Sequence, residues 1–187
     1  MQVKSFSMLA DKELILLSRE GLFDAFDELV NRYRRKVWGT AFKMVGNRED
    51  AEDVLSETFF AVFKSLSSFR EGASFSTYLY RITVNQSINF LRKKKGRDVL
   101  PLEGLQIKSN LKSPEEVVLT NELQKALKSA LLELKESLRE VFILYEIENL
   151  SLHKIAEITK ESVSCVKSRL HRARLSLREK IAPYLRA

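Results

Sequence analysis

Residues 150–180 constrain the fold of this chain more than any other stretch, because two short apolar-periodic segments there flank a polar break. The stretch reads LSLHKIAEITKESVSCVKSRLHRARLSLREK, and the break falls at 160–162. Ser151 can cap a first helix over 152–159. The second segment has an apolar stripe at helical spacing, formed by Val166, Leu170, Ala173 and Leu177. A short helix, a tight turn and a basic second helix predict a helix-turn-helix.

The composition favours a packed, helical protein. Hydrophobic residues make up 44% of the 187 residues, and only three prolines and six glycines interrupt a chain rich in helix formers. No run of 18 apolar residues occurs, and the N-terminus lacks the apolar core of a signal peptide. The single cysteine excludes an internal disulfide framework. We therefore expect an all-α, cytoplasmic protein.

A stretch without clear periodicity divides the chain in two. Residues 97–112 include Pro101 and Gly104, and they predict a flexible linker between small helical domains at 1–96 and 113–187. Such a linker would leave the spacing of the two domains to be set by a partner. Apolar periods and start signals, among them Asp11 as a first cap and Ser113 before Pro114, predict the following helices: 12–19, 22–45, 47–66, 77–94, 113–132 and 137–148.

Positive charge is concentrated in two places. The net charge is +7, yet residues 167–180 alone carry six Lys/Arg against one Glu, or +5. Residues 70–97 carry seven against one, or +6. Two basic patches in a balanced chain are typical of phosphate contact at two sites, although a basic run can also be a solvated face.

An acidic helix start precedes the first basic patch. The run NREDAEDVLSETFFAVFKSL has five carboxylates in its first turns, which suit the positive end of a helix dipole. A metal or acid-base site there is disfavoured because no histidine or cysteine lies nearby. A solvated helix start and a protein-binding face both remain open.

The basic patch around residue 85 also contains aromatic residues. Its segment STYLYRITVNQSIN alternates aromatic, apolar and polar residues at helical spacing, so most of the rings are expected in the core. Aromatics beside cations also suit single-stranded DNA, since each base can stack on a ring, worth ~1–3 kcal/mol.

Taken together and in this order, the segments DAEDVLSETF, STYLYRITVNQSIN, LSLHKIAEI and VKSRLHRAR resemble bacterial RNA polymerase sigma factors of the extracytoplasmic-function (group IV) type. The resemblance covers most of residues 22–180. It implies a region 2-like N-terminal domain that binds core polymerase and recognises and melts the minus-10 element. It also implies a region 4-like C-terminal domain that reads the minus-35 element, with transcription initiated in a stress response.

The resemblance assigns candidate residues to each role. Polymerase binding, at the clamp of the largest subunit, would involve Asp50, Asp53 and Glu57. Minus-10 contacts would involve Phe69, Tyr80, Arg81, Asn85, Asn89 and Arg92, with Asn85 capturing a flipped base. Minus-35 contacts would involve Lys167, Ser168, His171 and Arg172 at bases, and Arg174 and Arg178 at phosphates.

Partners are implied in the same way. They are core RNA polymerase, promoter DNA in duplex and single-stranded form, and an anti-sigma factor. No catalytic residue, metal, cofactor or small-molecule substrate is expected.

Three positions depart from the family pattern. Tyr78 stands where the family usually has Trp, and Leu134-Lys135 where it commonly has Leu-Pro. Residues 160–162 replace a frequent Gly-Ile-Pro, so a non-glycine residue forced left-handed there would cost about 1 kcal/mol. Cys165, at the start of the basic helix, is a candidate thiolate, but as a lone cysteine it is more simply a small residue.

Two other protein classes compete with this interpretation. An ordinary transcription factor would join the helix-turn-helix to an unrelated sensor and bind a palindromic site as a dimer. The aromatic-basic segment before the linker argues against it. An enzyme is disfavoured because no P-loop, HExxH, GxSxG or dinucleotide fingerprint occurs.

Overall fold

The computed structural model describes residues 6–69, 74–94 and 114–185, and these residues form helices and short connections without any strand. The all-α prediction is confirmed. The predicted linker 97–112 and the cap at Ser113 lie outside the described residues. Within the part that the structure describes, no helix is both long enough and apolar enough to cross a bilayer.

Over the described residues 6–69 and 74–94, the N-terminal half contains four α-helices. They are α1 (Asp11–Arg19), α2 (Phe23–Val45), α3 (Arg48–Ser65) and α4 (Phe75–Lys94). Asn47 caps α3 through its side-chain oxygen, which accepts from the Asp50 N–H at 2.9 Å.

The predicted Asp11 cap of α1 is wrong, because this residue is the first helical residue and its carboxylate binds elsewhere. Ala10 occupies the cap position, and its N–H donates to Glu13 Oε2 at 2.8 Å. The Asp11 carboxylate accepts instead from Arg32, at 2.9 Å, and from the Tyr33 hydroxyl. Asp11 therefore ties α1 to α2.

Over the described residues 114–185, the C-terminal half contains four more α-helices. They are α5 (Pro114–Glu133), α6 (Glu136–Phe142), α7 (Leu152–Thr159) and α8 (Val163–Ile181). The helix predicted over 137–148 is α6 followed by a wider π-helical turn, Ile143–Ile147.

Two tight turns depend on left-handed backbone. Gly46 ends α2 at φ +93°, a conformation that favours glycine, and a Cβ there would lie 2.6 Å from Leu132 Cδ1, so Leu132 would have to shift to admit one. Lys160 ends α7 at φ +57° without being glycine. The left-handed strain expected at the α7–α8 turn is thus present.

Three clusters of buried side chains hold the helices together. One lies among α1–α4 and includes Leu14, Leu29 and Val62. A small one joins α5 to α8. The third is continuous across both halves, and its buried members are Ala41, Phe42, Met44, Val45, Ala51, Val54, Val84, Val141, Ile143, Leu144, Ile155, Ile158, Val166 and Leu170.

The shared cluster changes the expected relation between the halves. The composition of the linker predicted two domains whose spacing the chain does not fix. In this structure the halves instead pack on each other, because α2 and α4 present apolar faces that α5–α7 cover. The two halves are in direct contact through their described residues.

Candidate nucleic-acid and polymerase interfaces

The basic face of α8 is open to solvent because its apolar stripe anchors the opposite face. Val166, Leu170, Ala173 and Leu177 are all buried. All six of the predicted minus-35 residues are exposed: Lys167, Ser168, His171, Arg172, Arg174 and Arg178. The helix is therefore held by packing while a polar row of donors faces outward, which is what a major groove can accept.

Local caps fix the angle at which α8 leaves the turn. Ser151 Oγ accepts from the Lys154 N–H at 3.3 Å, so the predicted cap of α7 is confirmed. Ser162 Oγ accepts from the Cys165 N–H at 3.2 Å and starts α8. Glu161, in the turn itself, pairs with Arg169 on α8. The turn is thus tied to the helix at two points.

Arg174 is engaged within the C-terminal half. Its Nε and one terminal nitrogen donate to Glu146 Oε1 at 2.8 and 2.5 Å, and its guanidinium lies 5.4 Å from the centre of the Tyr145 ring. The bond to Glu146 raises the pKa of Arg174 above its ordinary value. A phosphate would have to compete with Glu146 for this side chain.

The predicted minus-10 residues lie mostly on α4 and differ in accessibility. Asn85, Asn89 and Arg92 are exposed, whereas Tyr80 and Arg81 are half-buried. The guanidinium of Arg81 lies 5.6 Å from the ring centre of Tyr78, on the same helix. The row of Asn85 and Arg92 is the accessible part of this face.

The aromatic residues at the start of α4 form part of the core, as the spacing predicted. Phe69 is half-buried and its ring lies 5.8 Å from that of Phe75 and 4.8 Å from that of Tyr78. The Tyr78 hydroxyl is 2.5 Å from Ser65 Oγ. Tyr78, where the family usually has Trp, is thus packed and hydrogen-bonded. Phe69 contacts both of these rings.

A cleft of about 360 Å³ separates the accessible row of α4 from the C-terminal half. Asn85, Ile88 and Arg92 line it on one side. Residues of the C-terminal half line it on the other: Lys135, Glu136, Ser137, Glu140, Thr159, Glu161 and Arg169. The walls thus carry both signs of charge.

Glu140 is an acid in this cleft whose pKa is shifted. The side chain is almost buried, and burial raises its pKa to about 7, with Arg169 opposing the shift and Glu161 adding to it. A carboxyl with this pKa changes its charge near neutral pH.

Glu148 joins the halves on another side of α4. Its Oε1 accepts from Lys43 Nζ at 3.0 Å and from Thr40 Oγ1 at 3.2 Å, and its Oε2 accepts from the Tyr80 hydroxyl at 2.9 Å. Burial, and then the Glu148 carboxylate, raise the pKa of Tyr80 above its ordinary value, so the phenol keeps its proton. A single carboxylate therefore connects the C-terminal half to both α2 and α4.

Arg139 is a second connection between the halves. The side chain is buried and donates to the Leu131 and Leu134 carbonyls at 3.0 Å each, to the Leu132 carbonyl, and across to the Met44 carbonyl of α2. A guanidinium has enough donors to serve the ends of two helices, and the negative ends of their dipoles favour its charge.

The acidic residues of α3 fall into two groups. Asp53 and Glu57 are exposed. Asp50 is almost buried and accepts from Lys94 Nζ at 2.6 Å and from Asn47 Nδ2 at 2.5 Å. The prediction treated these three carboxylates as one surface. The structure places Asp50 inside, between α3 and the end of α4, because its two donors hold it there.

Sequence reasoning missed the contacts of Arg139 and Glu148 between the halves and the position of Glu140 in the cleft. Their partners are distant in sequence, and none of the three belongs to a recognisable motif. The only local indication was that charged residues, Arg139 and Glu140, occupy buried positions of the helix predicted over 137–148. A buried charge is seldom found without a partner, but the sequence does not say which partner it has.

Comparison with known proteins matches both halves to one family. A family model described as sigma-70 region 2 matches residues 29–97, and one described as sigma-70 region 4 matches residues 124–177. The chain is similar to the ECF RNA polymerase sigma factor SigW of Bacillus subtilis (strain 168). The two are 35% identical over 179 residues, which is 91% of this chain and 96% of that protein.

Further similarities agree. The ECF RNA polymerase sigma-E factor of Haemophilus influenzae is 36% identical over 186 residues, which is 95% of this chain and 98% of that protein. The solved structure of CnrH in complex with the cytosolic domain of CnrY has a TM-score of 0.64 and 25% identity, covering 89% of this chain and 94% of that one. The sigma factor RpoE in its co-crystal with the anti-sigma factor NepR from Bartonella quintana has a TM-score of 0.66, at 22% identity, covering 84% and 96%.

Proposed function

This chain belongs to the extracytoplasmic-function RNA polymerase sigma factors, and on that premise we propose how its residues divide promoter recognition. The family consists of transcription initiation factors that direct RNA polymerase to promoters. We assign the minus-10 role to residues 1–96 and the minus-35 role to residues 113–187, with 97–112 as the linker. The transcription-factor alternative required an unrelated N-terminal sensor, and it fails because residues 29–97 match sigma region 2.

The minus-35 element is read by α8 in this proposal. The observation that carries it is the exposed row of Lys167, Ser168, His171 and Arg172 on a helix whose other face is buried. Such side chains can hydrogen-bond base edges in the major groove. Arg178 is exposed further along α8 and suits a phosphate, whereas Arg174 becomes available only when it leaves Glu146.

The minus-10 element is captured as a single strand by α4. Asn85 and Asn89 lie one turn apart and are both exposed, so their amides can bond a base edge. Arg92 continues the row and can contact the backbone, while Arg81 lies nearer the aromatic core. Phe69 and Tyr80, being half-buried, support this face from below.

Core polymerase docks on α3. Asp53 and Glu57 are four residues apart on this helix, and both are exposed, so they form one acidic surface. Asp50 acts from behind it by holding α4 through Lys94. The protein works in the cytoplasm without catalytic chemistry of its own. An anti-sigma factor is a further partner that we propose, by analogy with the Bartonella quintana sigma factor that binds NepR.

Replacing Asp53 tests the docking surface. We expect Asp53→Arg to abolish run-off transcription with core polymerase and to remove the protein from polymerase pull-downs, because it reverses the charge of an exposed contact. The fold should be unaffected, since surface changes usually alter stability by less than about 0.5 kcal/mol. The matched control is Asp27→Arg, an exposed acid on α2. Normal pull-down of Asp53→Arg, or equal losses in both variants, would refute the assignment.

A further inference from the structure

We propose that the cleft beside α4 is a binding site for a small zwitterion of the amino-acid type. In this site Glu140 receives the ammonium group of the ligand, and Arg92 and Lys135 receive its carboxylate. The site goes beyond the proposed role in transcription initiation. Its ligand is measured on the free protein, without polymerase or DNA, so the two proposals can fail separately.

Glu140 is a buried carboxyl without a partner in the described part of the chain. It is only 7% exposed, and it lines the cleft. Among the residues that the structure describes, its carboxyl oxygens make no hydrogen bond and no ion pair. Acidic residues are rarely buried unless they are paired, because a charge loses its hydration on burial. A buried acid in this position therefore indicates a cationic group that comes from outside the chain.

The other acids that line the cleft already have cations or donors beside them. Glu161 pairs with Arg169 through Oε1 and accepts from the Cys165 thiol through Oε2, at 3.4 Å. Glu136 interacts electrostatically with the buried Arg139. A cationic ligand can thus reach Glu140 without displacing an existing ion pair.

Two cations complete the charge pattern of the cleft. Arg92 is exposed on α4, and Lys135 is exposed in the connection between α5 and α6. Within the described ranges, neither side chain makes a hydrogen bond or an ion pair. One available acid and two available cations in the same cleft complement a molecule with one positive end and one negative end.

Other classes of small molecule complement this pattern less well. The second ammonium group of a diamine would lie beside Arg92 and Lys135, and a dicarboxylate or a phosphate would bring negative charge toward Glu140. Like charges repel at short range, so each of these ligands would lose at one end what it gains at the other. An apolar ligand would meet Ile88 among lining residues that are otherwise polar or charged.

The size of the cleft agrees with a ligand of this kind. Its volume of about 360 Å³ lies near the lower end of the ~300–1,000 Å³ that is usual for small-molecule sites. Asn85 offers an amide and Ser137 a hydroxyl, and both groups can donate and accept to orient the ligand. The ligand would touch α4 and the C-terminal half together, so binding should also raise the melting temperature.

The shifted titration of Glu140 gives the site a signature. Burial raises the pKa of this carboxyl from 4.5 to about 7, and an ammonium group in contact with it would lower the pKa again. Glu140 is then about half protonated at pH 7 in the free protein, so binding releases about half a proton. At lower pH the proton competes with the ligand, and the affinity should fall about tenfold from pH 8 to pH 6. The other charged groups that face Glu140 are Arg92, Lys135, Glu136, Glu161 and Arg169.

Ligand-observed NMR on the full-length wild-type protein tests the inference. The probes are the protein-forming amino acids, and we expect at least one to bind with a Kd of ~1 mM or lower. Calorimetry of that amino acid in buffers of different ionisation enthalpy then measures the released proton and the pH dependence. If no amino acid binds, or if the affinity is the same at pH 6 and pH 8, the inference is overturned.

Two derivatives of the bound amino acid test its two ends. The N-acetyl derivative lacks the ammonium group, and the amide derivative lacks the carboxylate. Each should bind at least about tenfold more weakly, because each loses its charge-assisted hydrogen bonds. Undiminished binding of the N-acetyl derivative would overturn the role of Glu140. Undiminished binding of the amide would overturn the roles of Arg92 and Lys135.

A conservative variant locates the site. Glu140→Gln keeps the size of the side chain but removes its charge, so at pH 8 it should weaken binding at least about tenfold and should abolish the pH dependence. Glu157→Gln is the matched control, since Glu157 is an exposed acid on α7 that does not line the cleft. Circular dichroism verifies that both variants fold, and the wild-type pH profile decides the question if Glu140→Gln does not. Equal affinities of the two variants would show that the ligand binds elsewhere and overturn the inference.

Discussion

The α8 face and the α4 face have similar polar side chains but different access. On α8, Lys167, Ser168 and Arg172 project into solvent from a helix that is buried on its other side. On α4, Asn85 and Arg92 are also exposed by area, yet they open into a cleft whose far wall is the C-terminal half. The difference lies in the surroundings rather than in the residues.

This contrast shows that the two proposed DNA surfaces depend on different parts of the molecule. The α8 face depends on packing within the C-terminal half, and it is exposed in this structure. The α4 face is exposed as well, but residues of the C-terminal half form the opposite wall of its cleft, so its surroundings depend on how the halves pack. Four sets of substitutions test the packing on which these surfaces depend and the contacts that they make.

Arg139→Ala should have the largest effect, because it removes the buried link between α2 and α5. The variant leaves the Met44 carbonyl and those at the end of α5 without their donor, and we expect a loss of about 3 kcal/mol in the free energy of unfolding. Urea denaturation measures it. Arg19→Ala is the control, since Arg19 donates to the Leu66 and Phe69 carbonyls within the N-terminal half. A smaller loss for Arg139→Ala than for Arg19→Ala would contradict a central role for the link.

Glu140→Gln should change the pH dependence of stability. Burial raises the pKa of Glu140 from 4.5 to about 7, so the folded state binds this proton more tightly than the unfolded state does. The Glu140 carboxyl therefore stabilises the folded state fully below about pH 4.5. This contribution to the free energy of unfolding is lost as the pH rises through about 7. At about 1.4 kcal/mol per pKa unit the loss is about 3 kcal/mol.

Unfolding at several pH values tests this expectation. The wild type should lose stability relative to Glu140→Gln between about pH 4.5 and 8. The exposed acid Glu157 on α7 provides the control, Glu157→Gln, which should follow the wild type. Parallel curves for wild type and Glu140→Gln would contradict the burial effect. The charged groups around the Glu140 carboxyl in the cleft are Arg92, Lys135, Glu136, Glu161 and Arg169.

Arg172→Ala and Arg174→Ala should differ on duplex DNA. Arg172 is exposed, and among the described residues its guanidinium donates to the Ser168 carbonyl of its own helix, so its loss should weaken holoenzyme binding by ~1–3 kcal/mol if it bonds a guanine. Arg174 must first leave Glu146, so its loss should weaken binding by less than about 1 kcal/mol. Competition binding with single-base-pair variants of the upstream element measures both. A larger effect of Arg174→Ala would show that the pair with Glu146 opens readily.

The smallest expected effect is the difference between Gly46→Ala and Gly21→Ala, which should be about 1 kcal/mol in the free energy of unfolding. Both glycines have φ near +90°, so alanine strains the backbone equally at each, by ~1–2 kcal/mol. Only at Gly46 does the new Cβ also meet Leu132, a flexible side chain that can shift in response. Thermal unfolding compares the two variants. Equal losses would mean that the contact between α2 and α5 contributes little.

The sequence predicted the helices well and the contacts between halves poorly. The helices α2, α4, α7 and α8 follow from apolar spacing and nearby caps such as Ser151, which are local signals. Asp11 had a plausible capping role, but Arg32 and Tyr33 compete for it from another helix. Local patterns contain no information about such competition.

The same limit applies to the candidate site. The residues of α8 were recognisable because one helix carries the whole surface. Glu148 binds Tyr80 across 68 positions and Thr40 across 108, and no periodicity in either segment reveals the pairing. Asp50 looked equivalent to Asp53 in a row of acids, and only the position of Lys94 shows that it faces inward.

The core shared by the two halves also bears on how the protein is synthesised. Val84 and Val166 belong to one cluster, yet the ribosome makes them about 80 residues apart. At ~5–20 residues per second, the apolar face of α4 waits roughly 4–16 s for α8, and that of α2 waits longer. During that interval the nascent N-terminal half exposes surface that the finished chain buries, and it is then most open to chaperones and to aggregation. Final packing follows completion of the chain, so a truncated product would lack the cover that the full-length protein provides for itself.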